Sequence, residues 1–352
     1  MTTLITKALL PHVKHLRKVC KISKFNHTSV RLASNNYQAA VFKSKDATEL
    51  TFEEKKQPKL KDSQVRIAVA YCSVNIYDVT SFSDTTRKFP FVPGYEFSGE
   101  IIETGKEAAK LFNKEDRVIA FSFDHCGGLA TECVVDYEDV WTTPASIQLK
   151  EAAVLPYSYA AALYTFGVKA PIKECSNVVV AVGPAGSGLA AVDVAANIYK
   201  AKVVAVTDTE KNSELTREKG AFTTLHYKDN IEKHVISAFG NKRADVIFDA
   251  VGGEVHDVVT SCVDQNGKIF TLSPGKVSPP PPHSSLMRIS LNRLRQQNLP
   301  EYRQIVQDTL EMAEQGMFTA HISEKFDFKE VNKAVEFIKS KKCTGKVVVK
   351  VN

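Results

Sequence analysis

Residues 183–188 read Gly-Pro-Ala-Gly-Ser-Gly, a run of small side chains of the kind that phosphate binding requires. A β-branched run, Val178–Val182, enters this turn. An apolar helical stretch, Leu189–Tyr199, leaves it, and a second apolar run follows at Lys202–Thr207. In such a unit the first helical turn offers free backbone N–H groups and partial positive charge to an anion. The turn fits G-x-G-x-x-G with Gly183 first, Ala185 in the second glycine slot and Gly188 last. Gly186 adds backbone freedom beside them, and Ser187 opens the helix. The chemistry implied is capture of a dinucleotide pyrophosphate. The same residues also suit a strand–turn–helix that holds no ligand.

The elements around this turn divide the chain by texture. Thr48–Glu54, Val65–Val74, Phe97–Glu103, Arg117–Phe123 and Ala130–Val135 read as short strands punctuated by Pro and Gly. From Glu151 the pattern changes to a helix (Glu151–Phe166) and then to strand–helix alternation. The strands expected there are Val178–Val182, Val203–Thr207, Thr224–His226, Val246–Asp249 and Lys268–Leu272. Such alternation implies a parallel sheet covered on both faces. Ser278-Pro279-Pro280-Pro281-Pro282-His283 is an extended connector, because consecutive prolines suit neither helix nor central strand. Helices near Pro300–Gln315 and Lys329–Ser340 and a strand at Lys346–Lys350 complete the chain, whose tail is free to return to the first region.

Composition narrows the function classes. The net charge of +6 over 352 residues is local to the start of the chain. Residues 1–36 hold seven of the 46 basic side chains and no acid, leaving 39 basic against 40 acidic elsewhere. A near-neutral body without a basic stripe argues against phosphate-driven RNA binding. The basic, acid-free, Ser/Thr-dotted start has Leu4, Ile5, Leu9, Leu10, Val13 and Leu16 on one side of a helix. It reads as a mitochondrial transit peptide, 1–36, or else as a basic tail. The seven cysteines are scattered with no C-x-x-C pair, so neither a disulfide framework nor a structural zinc site follows. No stretch is apolar enough to span a bilayer, and a soluble protein of a reducing compartment is expected.

Eight segments in order carry a family resemblance. They are Val74-Asn75-Ile76-Tyr77-Asp78, Pro93-Gly94-Tyr95-Glu96-Phe97-Ser98-Gly99, Asp116-Arg117-Val118, and Gly127-Gly128-Leu129-Ala130-Thr131-Glu132. The glycine turn, Asp249-Ala250-Val251-Gly252-Gly253 and Thr344-Gly345-Lys346-Val347-Val348 follow, with Ala152-Ala153-Val154-Leu155-Pro156 between the two halves. Over residues 37–352 the chain resembles the zinc-free quinone oxidoreductase branch of the medium-chain dehydrogenase/reductase superfamily. Within that branch it is most similar to the mitochondrial quinone oxidoreductase-like subgroup. The resemblance implies an α/β fold: a GroES-like β-rich catalytic domain with an inserted Rossmann doubly wound parallel sheet. The domains implied are 37–160 plus 290–352 for the catalytic part and 161–289 for the dinucleotide-binding part, with the cofactor in the cleft between them.

Zinc relatives place Cys and His where this chain has Asn75 and Tyr95, and neither is a useful zinc ligand. No metal is therefore expected. Without a Lewis acid the resemblance points to hydride transfer from NADPH to a quinone or an α,β-unsaturated carbonyl. Asn75 is assigned to orient the nicotinamide or a substrate carbonyl, and Tyr77 or Tyr95 to donate a hydrogen bond or proton. Asn75 and Asp78 also fit a turn-capping role, and Glu96 a structural one. For the cofactor, the family register puts Val206 in the slot of the ribose-binding acid. It places Lys211 and Tyr227 at the 2′-phosphate, and Lys346 beside the cofactor. Asp208 opposes that choice by charge, and Lys211 also fits a plain surface position.

Three departures from the resemblance bear on function. The loop from Asp78 to Pro93 is shorter than in relatives, and Ala161 stands where a Thr is usual. The stretch from Pro282 to Arg293 is shortened where relatives carry a strand that helps build a dimer, which leaves a homodimer open. The alternatives are a mitochondrial enoyl-thioester reductase, disfavoured because Val79–Lys88 contains no tyrosine, and a non-catalytic NADPH-binding sensor or scaffold.

Overall fold

The structure, a computed structural model, describes residues 35–80, 88–123, 126–273 and 275–352. The transit-peptide reading and the middle of the loop after Asp78 fall outside the described residues. Within them, fifteen strands form three sheets.

A two-stranded hairpin, β1 (Asn36–Val41) and β2 (Thr51–Lys56), packs Ala39 and Val41 on Ala130. Next come β3 (Gln64–Val74), β4 (Glu96–Thr104), β5 (Arg117–Phe121), β6 (Glu132–Asp136) and β7 (Val140–Thr142). These strands pair antiparallel, with β3 central because it meets both β4 and β6. Their inward side chains, among them Val65, Ile67, Val69, Phe97 and Val118, form one apolar core.

The second sheet holds β8 (Asn177–Ala181), β9 (Lys202–Thr207), β10 (Thr223–His226), β11 (Ala244–Asp249), β12 (Val263–Thr271) and β13 (Ser285–Arg288). Their order is β10-β9-β8-β11-β12-β13, and every pair is parallel. This is the doubly wound arrangement: the chain runs outward from β8 on one side, then returns to build the other. A crevice opens where the direction reverses, at the carboxyl ends of β8 and β11. All five residues of β8 are buried, as expected for a strand with helices on both faces.

The last strands, β14 (Ile322–Asp327) and β15 (Lys346–Lys350), join the first region. β15 pairs antiparallel with β3, setting Val347 opposite Val74, so Lys346 arrives beside Asn75 from the far end of the chain. The helix Val331–Lys339 adds Val331, Val335 and Ile338 to the same core.

The differences from the sequence reading have local causes. The helix expected over 151–166 breaks into Leu149–Ala152 and Pro156–Leu163, because Pro156 lacks an N–H and starts a new helix. The shortened stretch after Pro282 still carries β13, a four-residue edge strand on β12. No helix among the described residues is long and apolar enough to cross a membrane.

Candidate functional site

A cleft of about 600 Å³ lies between the two large sheets, within the range typical of small-molecule sites. From the first region it is lined by Asn75, Ile76, Tyr77, Tyr95 and Tyr157, with Lys339 and Lys341. From the parallel sheet it is lined by the turn after β8, the ends of β9 and β10, and the ends of β11 and β12.

The turn after β8 has the shape that its small residues permit. Ala185 and Gly186 both adopt left-handed backbone conformations, at φ +76° and +84°, and Gly186 caps the helix that begins at Ser187. A Cβ on Gly188 would approach the Cα of Val182 to 2.7 Å, so glycine there lets the helix pack on the strand. Gly183, Ala185 and Ser187 line the cleft; Gly186 and Gly188 lie behind them and shape the turn. The helix runs on from Ser187–Asp193 through a wider coil, Val194–Ile198. Its first N–H groups have no partner within the helix and suit an anionic pyrophosphate. These residues fit a dinucleotide.

The opposite wall is built on charge. The Lys346 Nζ donates to Asn75 Oδ1 at 2.5 Å and to Glu96 Oε2 at 2.8 Å. A lysine ammonium only donates, so the Asn75 atom facing it must be the oxygen. The Asn75 Nδ2 then donates to Ser73 Oγ and to Glu96 Oε2, both at 3.2 Å. Glu96 is fully buried, and its other oxygen accepts the Tyr157 N–H at 2.8 Å. Asp78 is buried beside them and accepts the N–H groups of Asn75 and Gly94, each at 2.9 Å. Loss of water raises the Asp78 carboxyl to about 6, against the pull of those two N–H groups.

Both hydrogens of the Asn75 amide are engaged inside the wall. Asn75 can accept from a group in the cleft, such as a carboxamide N–H, but it has no proton left for a substrate carbonyl. Tyr95 differs: it lines the cleft, is fully buried, and its hydroxyl has no hydrogen-bond partner among the described residues. Its ring stacks on Phe123 at 4.5 Å and meets Tyr77 and Tyr157 edge-on at 5.7 and 5.8 Å. Burial pushes the Tyr95 hydroxyl well above its usual range, which keeps it protonated.

Two assigned lysines do not line the cleft. Lys346 lies beneath the lining, its amine committed to Asn75 and Glu96 rather than turned to a cofactor. Lys211 is exposed on the helix Glu210–Glu218 and does not line the cleft, because Asn212, Ser213 and Thr216 occupy that helix's buried face. Tyr227 does line it, as do Val206 and Asp208. The Asp208 carboxylate is held by Asn212 Nδ2 at 2.7 Å. Tyr157, Lys339 and Lys341 escaped the sequence reading; the helix start Ala152–Pro156 was the only signal near the first, and the other two had none.

Zinc does not fit. Where zinc relatives hold the metal, this chain has an asparagine amide and a phenol, with a lysine ammonium between Asn75 and Glu96 that would repel a cation. Among the described residues no group of three His, Cys, Asp or Glu side chains could hold a metal ion.

Known proteins agree with this construction. The GroES-like domain of alcohol dehydrogenases matches residues 61–146, and the family described as zinc-binding dehydrogenase matches residues 219–349. Quinone oxidoreductase-like protein 2 homolog of Nematostella vectensis is 33% identical, over 82% of this chain and 81% of the relative. Quinone oxidoreductase-like protein 2 of Bos taurus is 29% identical, over 89% of this chain and 92% of its own. The structure of mycobacterial Rv1454c complexed with NADPH shares the fold at a TM-score of 0.81, with 20% identity over 90% of this chain and all of that one. The chain is thus an oxidoreductase of the medium-chain dehydrogenase/reductase superfamily and belongs to its quinone oxidoreductase-like protein 2 family.

Proposed function

We propose that the protein is a zinc-independent, NADPH-dependent reductase of quinones or α,β-unsaturated carbonyls. The observation that carries this reading is Tyr95, whose ring lines the cleft and whose hydroxyl has no hydrogen-bond partner among the described residues, backed by a wall whose cation is Lys346. When bound, the dinucleotide supplies the hydride. Tyr95 donates a hydrogen bond, and then a proton, to the acceptor's carbonyl oxygen. Asn75, fixed by Lys346, accepts from the cofactor's amide end. The rings of Tyr77, Tyr95 and Tyr157 flank the space, with Phe123 stacked on Tyr95. Gly183, Ala185 and Ser187 face the pyrophosphate, with Gly186 and Gly188 holding the turn, and Lys339 and Lys341 supply positive charge across the cleft.

NADPH is favoured by Val206 in the acid slot, by Tyr227 in the lining, and by the name of the structural neighbour that binds it. NADH is the second reading, favoured by Asp208: it directly follows β9 and lines the cleft, where a carboxylate suits a ribose 2′-hydroxyl. The basic, acid-free start supports a mitochondrial location, which an import assay tests. For the activity, the full chain is titrated with NADPH and NADH by nicotinamide fluorescence, then given a small quinone and an enal. Tight NADPH binding followed by its consumption is expected. Binding with no acceptor reduced would replace this proposal with the sensor reading, and no binding would remove both.

A further inference from the structure

The strand β11 ends in Asp249, at the crevice edge of the parallel sheet. Its side chain is fully buried and turned to its own loops. One oxygen accepts the backbone N–H groups of Val251 and Gly252 at 2.9 and 2.8 Å. The other accepts the Thr271 hydroxyl at 2.9 Å and His256 Nδ1 at 2.8 Å. A carboxylate can only accept, so His256 carries a proton on Nδ1; its Nε2 is buried without a partner among the described residues. Four donors thus fill the four lone-pair directions of one group.

Those donors tie together the two loops of this side of the cleft: two N–H groups lie in the loop after β11, Thr271 ends β12 where the other loop starts, and His256 stands on the helix Gly253–Thr260 between them. Ala250 and Val251 follow β11; Leu272 and Ser273 follow β12; all four line the cleft. The Asp249 carbonyl accepts the Leu272 N–H, and Thr271 Oγ1 accepts the Ser273 N–H. Gly252 adopts φ +82°, and a Cβ there would collide with the Ser273 side chain. The wall has one geometry, hung from one carboxylate.

We infer that Asp249 is a positioning residue for the nicotinamide half of the cofactor, acting through these two loops, with His256 and Thr271 fixing its orientation. The inference rests on the proposed dinucleotide cleft. In a doubly wound sheet the adenosine half lies over the β9–β10 side and the nicotinamide half over the β11–β12 side. Loss of Asp249 should therefore act on one half alone.

The test compares full-chain Kd values for NADPH and for its adenosine fragment, 2′,5′-ADP. Asp249→Ala is expected to weaken NADPH roughly ten-fold, as for loss of a charge-assisted hydrogen bond, and to leave 2′,5′-ADP within about two-fold. Asp249→Asn should recover most of the affinity. Its oxygen keeps the two loop N–H groups, while its NH₂ faces a hydroxyl and an imidazole that can both reverse their roles. Should Asp249→Ala not fold, Thr271→Val gives the same asymmetry at roughly three-fold. Equal weakening of dinucleotide and fragment, or no weakening of either, overturns the inference. Failure of the wild type to bind any dinucleotide instead overturns the cleft assignment itself.

Discussion

On the first wall of the cleft Glu96 is neutralised by a lysine from the other end of the chain. On the facing wall Asp249 is satisfied by two backbone N–H groups, a hydroxyl and an imidazole. Both carboxylates are fully buried. The Lys346–Glu96 pair joins strands 250 residues apart, so it forms only when β15 is in register on β3. The partners of Asp249 all lie within 22 residues of it, so that cluster forms with its own βαβ unit. Beside the distant pair the Tyr95 hydroxyl has no hydrogen-bond partner among the described residues; the local cluster sends every Asp249 side-chain bond back into its own unit. The first wall is tied together by distant parts of the chain and the second by its own loops.

The sharpest way to break this contrast is to remove the charge from the first wall. Lys346→Met leaves Glu96 buried without its cation, which costs about 3–5 kcal/mol of stability. Adding Glu96→Gln should return most of that loss, because the uncompensated charge disappears. Urea denaturation of the two single variants and the double variant measures the coupling. Additive losses would mean that the pair is not the organising interaction of this wall.

Tyr95→Phe separates chemistry from stability. Removing a buried hydroxyl that has no partner among the described residues should raise stability by roughly 1 kcal/mol. Removing the acid should lower kcat by about 10²- to 10³-fold with cofactor affinity unchanged. A variant that is less stable and equally active would show that Tyr95 belongs to the packing alone.

How much of this was legible in the residues follows the same local–distant division. The glycine turn and β9 were readable because neighbouring residues specify them: small residues, then an apolar helix, then a β-branched strand. Asp249-Ala250-Val251-Gly252-Gly253 was readable as a motif, but not its bond to Thr271, which requires β12 beside β11. Asn75 and Tyr95 were found by their slots, whereas the commitment of the Asn75 amide to Lys346 depends on a strand pairing that no local pattern encodes. Lys211 was assigned from a register counted along the sequence, which does not say that it lies on the exposed face of its helix. The short edge strands β7 and β13, of three and four residues, are too brief for alternation to be seen.

A pH-dependent effect concerns Asp78, which tests whether the first wall carries a standing electrostatic cost. Its carboxyl is raised to about 6 in the folded chain, chiefly by burial, from 3.8. Below about pH 4 both folded and unfolded chains hold the proton, and Asp78 adds no pH dependence. Between about 4 and 6 the folded chain keeps a proton that the unfolded chain has released, so stability falls as pH rises. Above about 6 the loss is complete, at roughly 3 kcal/mol for two pKa units. Asp78→Asn cannot ionise, and only its oxygen can accept, so one of the N–H groups of Asn75 and Gly94 loses its partner. That loss is a constant offset. The stability of the variant relative to the wild type should therefore climb by roughly 3 kcal/mol from pH 4 to pH 7. Denaturation at stepped pH reads this slope. A flat difference would mean that Asp78 is ionised throughout, stabilised by its two N–H groups and by Lys346, and that the first wall holds its charges without strain.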